Sequence, residues 1–394
     1  MSSVFVVDAC RTPIGKVKGA LAEVRPDHLA ADILKALIAR SPDLAVNAID
    51  DVYWGAANQA GEDNRNVARM AVLLAGLPVE IPGTTVNRLC GSGMEAVSDA
   101  ARAIAAGDID IAVAGGSESM TRAPFVVQRS GEPWARSLET ADTRLGWRLV
   151  SPRMQEMYPP ISLGETAENV ADKYGITRER QDEWALRSHH LAAAARDAGR
   201  FDAEIVPVTT PKGGLASDEG IKGGITIEEL AGKRPAFRKG GSVTGGNSSP
   251  LNDGAAALLL MSEEAVNRAG VTPLARYVGA SAAGVHPDYM GIGPVPAMHR
   301  VLARAGWRTE ELDLVELNEA FAAQSVACVD ELKLDPGQVN VNGGAIAIGH
   351  PLGCSGARIV TTLLHEMRRR CVTKGAASMC IGVGQGITTL WEGC

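Results

Sequence analysis

Two spacings of apolar residues alternate at both ends of the chain. Short β-branched runs, "VFVVDA" (4–9), "DDVYWGAA" (50–57), "GTTVNRL" (83–89) and "IDIAVAGG" (109–116), predict buried strands. Between them, "DHLAADILKALIAR" (27–40), "RNVARMAVLLAGL" (65–77) and "GMEAVSDAARAIAAG" (93–107) carry apolar residues at helical spacing. The same alternation returns in "LDLVELNEA" (312–320), "GARIVTTLLHEMRRR" (356–370) and "AASMCIGVGQGITTLWE" (376–392). The expected fold class is α/β, with mostly parallel strands covered by helices on both faces.

The two ends also match in register. "IDDV" (49–52) and "LDLV" (312–315) lie 263 residues apart, and so do "CGSG" (90–93) and "GCSG" (353–356). A shared offset points to a duplicated α/β unit of roughly 120 residues per copy. Residues 121–249 have a different character. They hold Trp134, Trp147, Pro159, Pro160, a charged helix ("TRERQDEWALRSHHLAAAARDAGRF", 177–201) and the glycine-rich "PKGGLASDEGIKGG" (211–224). The expected organisation is an N-terminal half (1–120), an inserted loop domain (121–249), a return to the first half (250–273) and a C-terminal half (274–394). Insertions of this kind often carry substrate contacts over a rigid scaffold.

Composition narrows the class. Apolar residues make up 45% and charged residues 22%, the balance of a globular chain. No run approaches the ~18 apolar residues of a membrane span. The N-terminus reads as a core strand and not as a secretory leader, so a cytoplasmic location is expected. A net charge of −7 argues against a nucleic-acid partner, which demands a basic footprint. A local patch for an anionic ligand exists in "KRPAFRK" (233–239), with four cations in seven residues. The seven cysteines are scattered and lack CxxC spacing, which suggests neither a disulfide framework nor a metal site.

Four stretches carry candidate chemistry. Cys90 sits between a strand-like run and a glycine-punctuated helix start, where unpaired N–H groups favour a thiolate. It reads as a nucleophile or as a small core residue. His350, fixed by Pro351 in "NVNGGAIAIGHPLGCSGAR" (340–358), suits a general base or a buried brace. "MCIGVGQG" (379–386) lacks the helix that a phosphate cradle needs. Its backbone N–H groups suit an oxyanion hole beside Cys380. Asn318 and Glu319 follow the strand "LDLV", where α/β sheets gather sites, although Asn318 also reads as a helix cap. If the two copies face each other about a pseudo-dyad, Cys90 meets His350 and Cys380. Two thiols and an imidazole suit acyl transfer with proton movement at carbon; a cysteine–histidine pair alone also fits a protease or amidase.

Taken together, "VNRLCGSG", "NEAFA", "NGGAIAIGHPLGCSGAR" and "CIGVGQG" resemble the thiolase family of acetyl-CoA acyltransferases. The resemblance implies two α/β halves stacked in a five-layer αβαβα arrangement, with the inserted loop domain binding coenzyme A. It also implies a tetramer built as a dimer of dimers. Carried over, Cys90 takes the acyl group as a thioester, His350 activates it, and Cys380 moves a proton at the substrate α-carbon. Asn318 positions a water that completes one oxyanion hole with His350; the N–H groups of Cys90 and Gly382 form the other. Ser249, Phe237, Met290, Phe321 and Leu163 line the coenzyme A channel, and Lys222 makes a basic contact. The implied reaction is cleavage of a 3-oxoacyl-CoA by CoA to release acetyl-CoA, reversible as a Claisen condensation. CoA is then a co-substrate, and neither a tightly bound cofactor nor a metal is called for.

The sequence departs from the commonest family pattern. Val383 stands at a frequent glycine, "GNSSPLND" replaces "GNASGxND", and Ser162–Leu163 replaces a His–Met pair of short-chain biosynthetic members. "ANQAGEDNRNVARMAVLLAGLP" (57–78) with "CIGVGQG" is similar to thiolases of aromatic-acid degradation that cleave 3-oxoadipyl-CoA. A substrate ending in a carboxylate calls for a cation, for which Arg65, Arg69 and Arg88 are candidates. The alternatives are acetyl-CoA acetyltransferase activity on acetoacetyl-CoA, a decarboxylating ketoacyl synthase-type enzyme, and a non-catalytic acyl-CoA-binding relative.

Overall fold

A computed structural model describes residues 2–42, 44–211 and 213–394; Met1, Asp43 and Lys212, the last within the expected glycine-rich loop, lie outside the described residues. Among the described residues, ten strands form one mixed sheet: β1 (Val4–Arg11), β2 (Gly15–Lys16), β3 (Asp51–Gly55), β4 (Thr84–Val86), β5 (Ile111–Ser119), β6 (Asn252–Ser262), β7 (Ala275–Gly284), β8 (Leu314–Leu317), β9 (Lys374–Ile381) and β10 (Gln385–Gly393). The principal helices are α1 (Pro26–Ala39), α2 (Val67–Leu74), α3 (Ser92–Ala106), α4 (Leu163–Tyr174), α5 (Arg178–Asp197), α6 (Pro294–Ala305), α7 (Ala322–Leu332) and α8 (Leu352–Arg370).

The strand order is β8-β9-β10-β7-β1-β6-β5-β3-β4, with β2 on β6. The first half contributes β4-β3-β5-β6-β1 and the second β8-β9-β10-β7. They join where Phe5 and Val6 pair with Arg276 and Ala275. In the second half, Val339 bridges Val315 in parallel, as β4 pairs with β3 in the first. The duplication extends to single hydrogen bonds. Asp50 accepts the N–H groups of residues 110 and 111, and Asp313, 263 positions later, accepts those of 373 and 374.

The expectation of mostly parallel pairing is corrected. Only β3–β4, β3–β5 and β8–β9 are parallel among the described pairs; every other pair in the sheet is antiparallel. Helical crossovers enforce parallel pairing. β10 instead returns from β9 through a three-residue turn, and β6 re-enters after the long insertion with the opposite direction.

Both faces of the sheet are buried, as the apolar runs require. Along β6, Ala256, Leu258 and Leu260 face one core while Ala255, Ala257, Leu259 and Met261 face another. The first core lies between the halves and holds α3 and α8; α1 and α2 cover the outer face of one half, and α6 and α7 that of the other. The result is five layers, αβαβα. The glycines of the matched motifs permit the central contact. A Cβ on Gly93 would stand 2.7 Å from the Gly353 carbonyl oxygen, and one on Gly356 would stand 2.2 Å from Met94 N. α3 and α8 therefore meet backbone to backbone at their N-terminal ends, and Cys90 and His350 precede those ends.

Residues 121–249 contribute α4, α5 and two hairpins, Phe125–Val127 with Thr140–Asp142 and Val208–Thr210 with Gly213–Leu215. α4 is capped by Ser162, which accepts from Glu165 N, and ends on Gly175. Among the described residues, no helix is long and apolar enough to cross a membrane.

Candidate active site

Cys90 stands one residue before the N-cap of α3. The chain reaches it through Leu89, whose φ of +48° is uncommon for a residue with a side chain. Two polar side chains brace that turn: Asn87 accepts Leu89 N at 2.9 Å, and Ser92 Oγ donates to Leu89 O at 2.6 Å. Burial raises the pKa of the Cys90 thiol. The backbone N–H groups of Gly382 and of Cys90 itself lie against the sulfur and offset part of that rise. These are the two donors expected of one oxyanion hole. Gly382 belongs to the turn between β9 and β10 of the other half, so the site is built across the duplication.

His350 arrives on the loop that starts α8. Its N–H donates to Asn252 Oδ1 at 2.9 Å, and Gly349 before it adopts φ +125°, where a Cβ would strike Asn252 and Ile14. Ser355 Oγ donates to Pro351 O at 2.8 Å and lies 2.6 Å from His350 Nδ1. The hydroxyl proton is thus committed, and Nδ1 must donate to Ser355. That tautomer leaves Nε2 with a lone pair. Burial, aided by the Arg358 guanidinium, lowers the imidazole pKa to about 3, so the ring is neutral at physiological pH.

Cys380 lies near the end of β9. Burial first, and the neighbouring Cys90 next, push its thiol well above the ordinary range. Asn318 is fully buried with Nδ2 at 3.5 Å from both ring nitrogens of His350; its Oδ1 has no hydrogen-bond partner among the described residues. Its N–H bonds Ser378 O and Phe321 caps α7, so Asn318 is not a helix cap. Glu319 is a brace: it accepts from Trp184, Ser188, Asn340 and Ile346, tying α5 to the His350 loop.

Cys90, His350 and Cys380 line one apolar cavity of about 440 Å³ with Leu163, Phe237, Ser249, Met290 and Phe321. Phe237 packs edge-on against Phe321, and Gly164 makes room for its ring. Past Gly245, Ser248, Pro250 and Leu251 the channel continues into a second cavity lined by Lys16, Lys222, Lys233 and His189. In the other direction, Cys90, Leu145, Gly146, Leu163 and Leu352 are shared with a third cavity of about 350 Å³. The site therefore has two arms meeting at the Cys90 sulfur.

A buried thiol beside a neutral imidazole, a second protonated thiol and two backbone donors can form and break a thioester while moving a proton at carbon. The chain matches two family models, "Thiolase, N-terminal domain" over residues 4–264 and "Thiolase, C-terminal domain" over 271–393.

This chain belongs to the thiolase family. It is 52% identical over 398 residues to the beta-ketoadipyl-CoA thiolase of Pseudomonas putida, covering 100% of both chains. It is also 52% identical to the 3-oxoadipyl-CoA/3-oxo-5,6-dehydrosuberyl-CoA thiolase of Escherichia coli K12, again over 100% of each. The crystal structure of human mitochondrial 3-ketoacyl-CoA thiolase in complex with CoA superposes with a TM-score of 0.94 at 39% identity, over 100% of this chain and 98% of that one. The protein is an acyltransferase of this family, with CoA as a substrate. The thiolase fold, its two halves and five layers, is the one the motifs implied.

Within this thiolase, Cys90, His350, Cys380, Asn318 and Gly382 converge, as do Leu163, Ser249, Phe237, Met290 and Phe321. Lys222 stands apart from them in the lysine-lined extension. Three expected cations do not reach the site. Arg65 is exposed, Arg69 binds the carbonyls of Ile81 and Val79, and Arg88 is held by Glu95 and Gln385. Of the "KRPAFRK" patch, Lys233 reaches the channel, whereas Arg238 is consumed by Glu165 and Asp172. Sequence reasoning missed Ser355, Asn252, Lys16, Arg144 and Arg148. Ser355 had a signal, since it is the repeat equivalent of Ser92.

Proposed function

We propose that the protein cleaves 3-oxoadipyl-CoA with CoA, giving acetyl-CoA and succinyl-CoA. The meeting of Cys90, His350 and Cys380 on one channel carries the reading, and relatives named for 3-oxoadipyl-CoA supply the substrate. Cys90 Sγ adds to the ketone carbon as His350 Nε2 takes its proton. The bond between the ketone carbon and the α-carbon then breaks, and its electron pair passes to the α-carbon as an enolate. That enolate places its charge on the thioester oxygen, beside His350 and Asn318. Cys380 returns a proton to the α-carbon and releases acetyl-CoA. The acyl group stays on Cys90, its oxygen held by the N–H groups of Cys90 and Gly382. A CoA thiol, deprotonated by Cys380, attacks that thioester, and Cys90 leaves as a thiolate that takes its proton back from His350.

The coenzyme A arm runs past Leu163, Ser249, Met290, Phe237 and Phe321, and its phosphates reach Lys16, Lys222 and Lys233. The loop domain (121–249) supplies most of the lining. It also presents Phe125 and Trp134, 70% and 95% exposed, with Val127 and Leu138. Apolar exposure on this scale supports self-association through that region, as a homotetramer. Thiolysis of 3-oxoadipyl-CoA, acetoacetyl-CoA and a longer neutral 3-oxoacyl-CoA tests the reading. The 3-oxoadipyl thioester ranks first if it holds. Acetoacetyl-CoA ranking first favours the acetyltransferase alternative, and no acetyl-CoA from any of the three refutes the reading.

A further inference from the structure

The arm of the site that leads away from the lysine-lined channel ends on cations. Its cavity is lined by Leu89, Cys90, Leu163, Gly382 and Val383 near the sulfur, and by Asn58, Thr143, Arg144 and Arg148 beyond. Asn58 Nδ2 donates to Thr143 O and Oγ1, and Thr143 Oγ1 donates to Pro124 O at 2.6 Å. The loop bearing both arginines is thereby fixed to the strand end that follows β3. Neither guanidinium has a carboxylate partner among the described residues. Arg148 reaches only the carbonyls of Thr143 and Asn58, at 3.5 and 3.4 Å. Arg144 Nε is buried without any hydrogen-bond partner among the described residues. Glu118, the carboxylate that lines the same cavity, is directed elsewhere: its Oε2 accepts from Ala57 N and Gly353 N. A buried cationic donor left unpaired, as Arg144 Nε is, is costly unless an anion completes it, and the long carbonyl contacts of Arg148 leave its charge uncompensated.

We infer that Arg144 and Arg148 form the receptor for a carboxylate at the far end of the acyl chain, so that this thiolase selects 3-oxoacyl-CoA substrates ending in CO₂⁻ over neutral ones. The inference rests on the thiolase reading and fixes which arm holds which part of the substrate. The coenzyme A arm leaves through Ser249 and Phe321 toward the lysines, so the acyl tail takes the arginine arm. Planar guanidinium groups match a carboxylate in two-point contacts that a neutral methyl end cannot make. The pair acts on substrate selection and takes no part in bond making.

The test compares kcat/KM for 3-oxoadipyl-CoA and for 3-oxohexanoyl-CoA, its neutral counterpart of equal chain length. Wild type, Arg144→Gln, Arg148→Gln and the double variant are each first checked for acetylation of Cys90 by acetyl-CoA. The ratio of the two kcat/KM values is expected to fall by roughly 10–100-fold in the double variant. In wild type the same ratio should shrink as ionic strength rises, a readout that does not depend on any variant folding. A double variant that acetylates Cys90 yet keeps the wild-type ratio overturns the inference. So does a wild-type enzyme that cleaves both thioesters without preferring the carboxylate. Failure of wild type to cleave either one refutes the thiolase reading itself.

Discussion

His350 Nδ1 lies 2.6 Å from Ser355 Oγ, and because that hydroxyl is placed to donate to Pro351 O, the contact assigns the ring proton to Nδ1 and leaves Nε2 basic. Ser355 has no second proton to give, because its hydroxyl donates to Pro351 O. Ser355→Ala removes the lock and lets the ring adopt the other tautomer. Cys90 acetylation should slow by roughly 10-fold, against roughly 10²- to 10⁴-fold for His350→Ala. Rapid-quench measurement of the acetyl-enzyme from acetyl-CoA gives both rates. Equal rates for Ser355→Ala and wild type would remove the tautomer argument.

The two thiols carry separable steps. Cys90→Ser should give no acyl adduct with acetyl-CoA. Cys380→Ser should still form one, more slowly because Cys380 also protonates the departing CoA thiolate, while losing carbon–carbon cleavage by roughly 10²-fold or more, since its proton transfer at carbon is gone. Intact-protein mass and a thiolysis assay on the same samples check the pair. Parallel loss of both readouts in Cys380→Ser would merge the roles assigned here.

Burial lowers the pKa of His189 to about 4, with Lys222 adding to the effect. A base whose folded-state pKa lies below its unfolded value of about 6.5 binds fewer protons when folded. Its stability contribution is therefore complete above about pH 6.5 and is lost as pH falls toward 4. His189→Gln should lose less stability than wild type across that window, by an amount on the order of a few kcal/mol. Denaturant midpoints at pH 7 and pH 4.5 measure it; identical pH dependence in both proteins would count against the assignment.

The N-terminal end of α8 packs against β5 and the residue after β3 with no room for a methyl group. A Cβ on Gly353 would lie 2.5 Å from Ser117 O and 2.9 Å from Ala56 Cα, whereas one on Gly224 meets nothing within 4 Å. Gly353→Ala should destabilise the fold by about 1–3 kcal/mol or more, and Gly224→Ala by less than about 0.5 kcal/mol. Thermal midpoints of the two variants provide the comparison.

The lysines of the channel should act on coenzyme A alone. Lys222→Ala is expected to raise KM for CoA several-fold at low salt, with the difference narrowing as ionic strength increases. Steady-state thiolysis at two salt concentrations reads this directly. A KM that does not respond to the substitution would move the phosphate contacts elsewhere.

Much of this architecture was legible because the duplication is written in side chains with fixed local duties. Asp50 and Asp313 cap equivalent strand starts, and Ser92 and Ser355 brace equivalent turns, so the shared offset of 263 survives as spelling. Cys90, His350 and Cys380 were readable for the same reason: each sits at a turn whose neighbours are constrained by backbone contact. Strand direction was harder to read. Apolar runs such as "AAALLLM" report burial on both faces but not polarity, and an antiparallel strand buried twice looks like a parallel one. Arg144 and Arg148 carry no local signature at all. Their place beside Cys90 follows from how Asn58 and Thr143 tie one loop to another, a relation spanning 85 residues. Arg65, Arg69 and Arg88 stood nearer to recognisable motifs, and backbone carbonyls, an acidic neighbour or solvent had already claimed them.

The most direct test of the account is peptide mapping of wild-type protein after brief exposure to acetyl-CoA without an acceptor. One acetyl group per chain is expected, carried by Cys90 as a thioester and discharged when CoA is added. An acetyl group on Cys380, or no covalent species on either thiol, would contradict it.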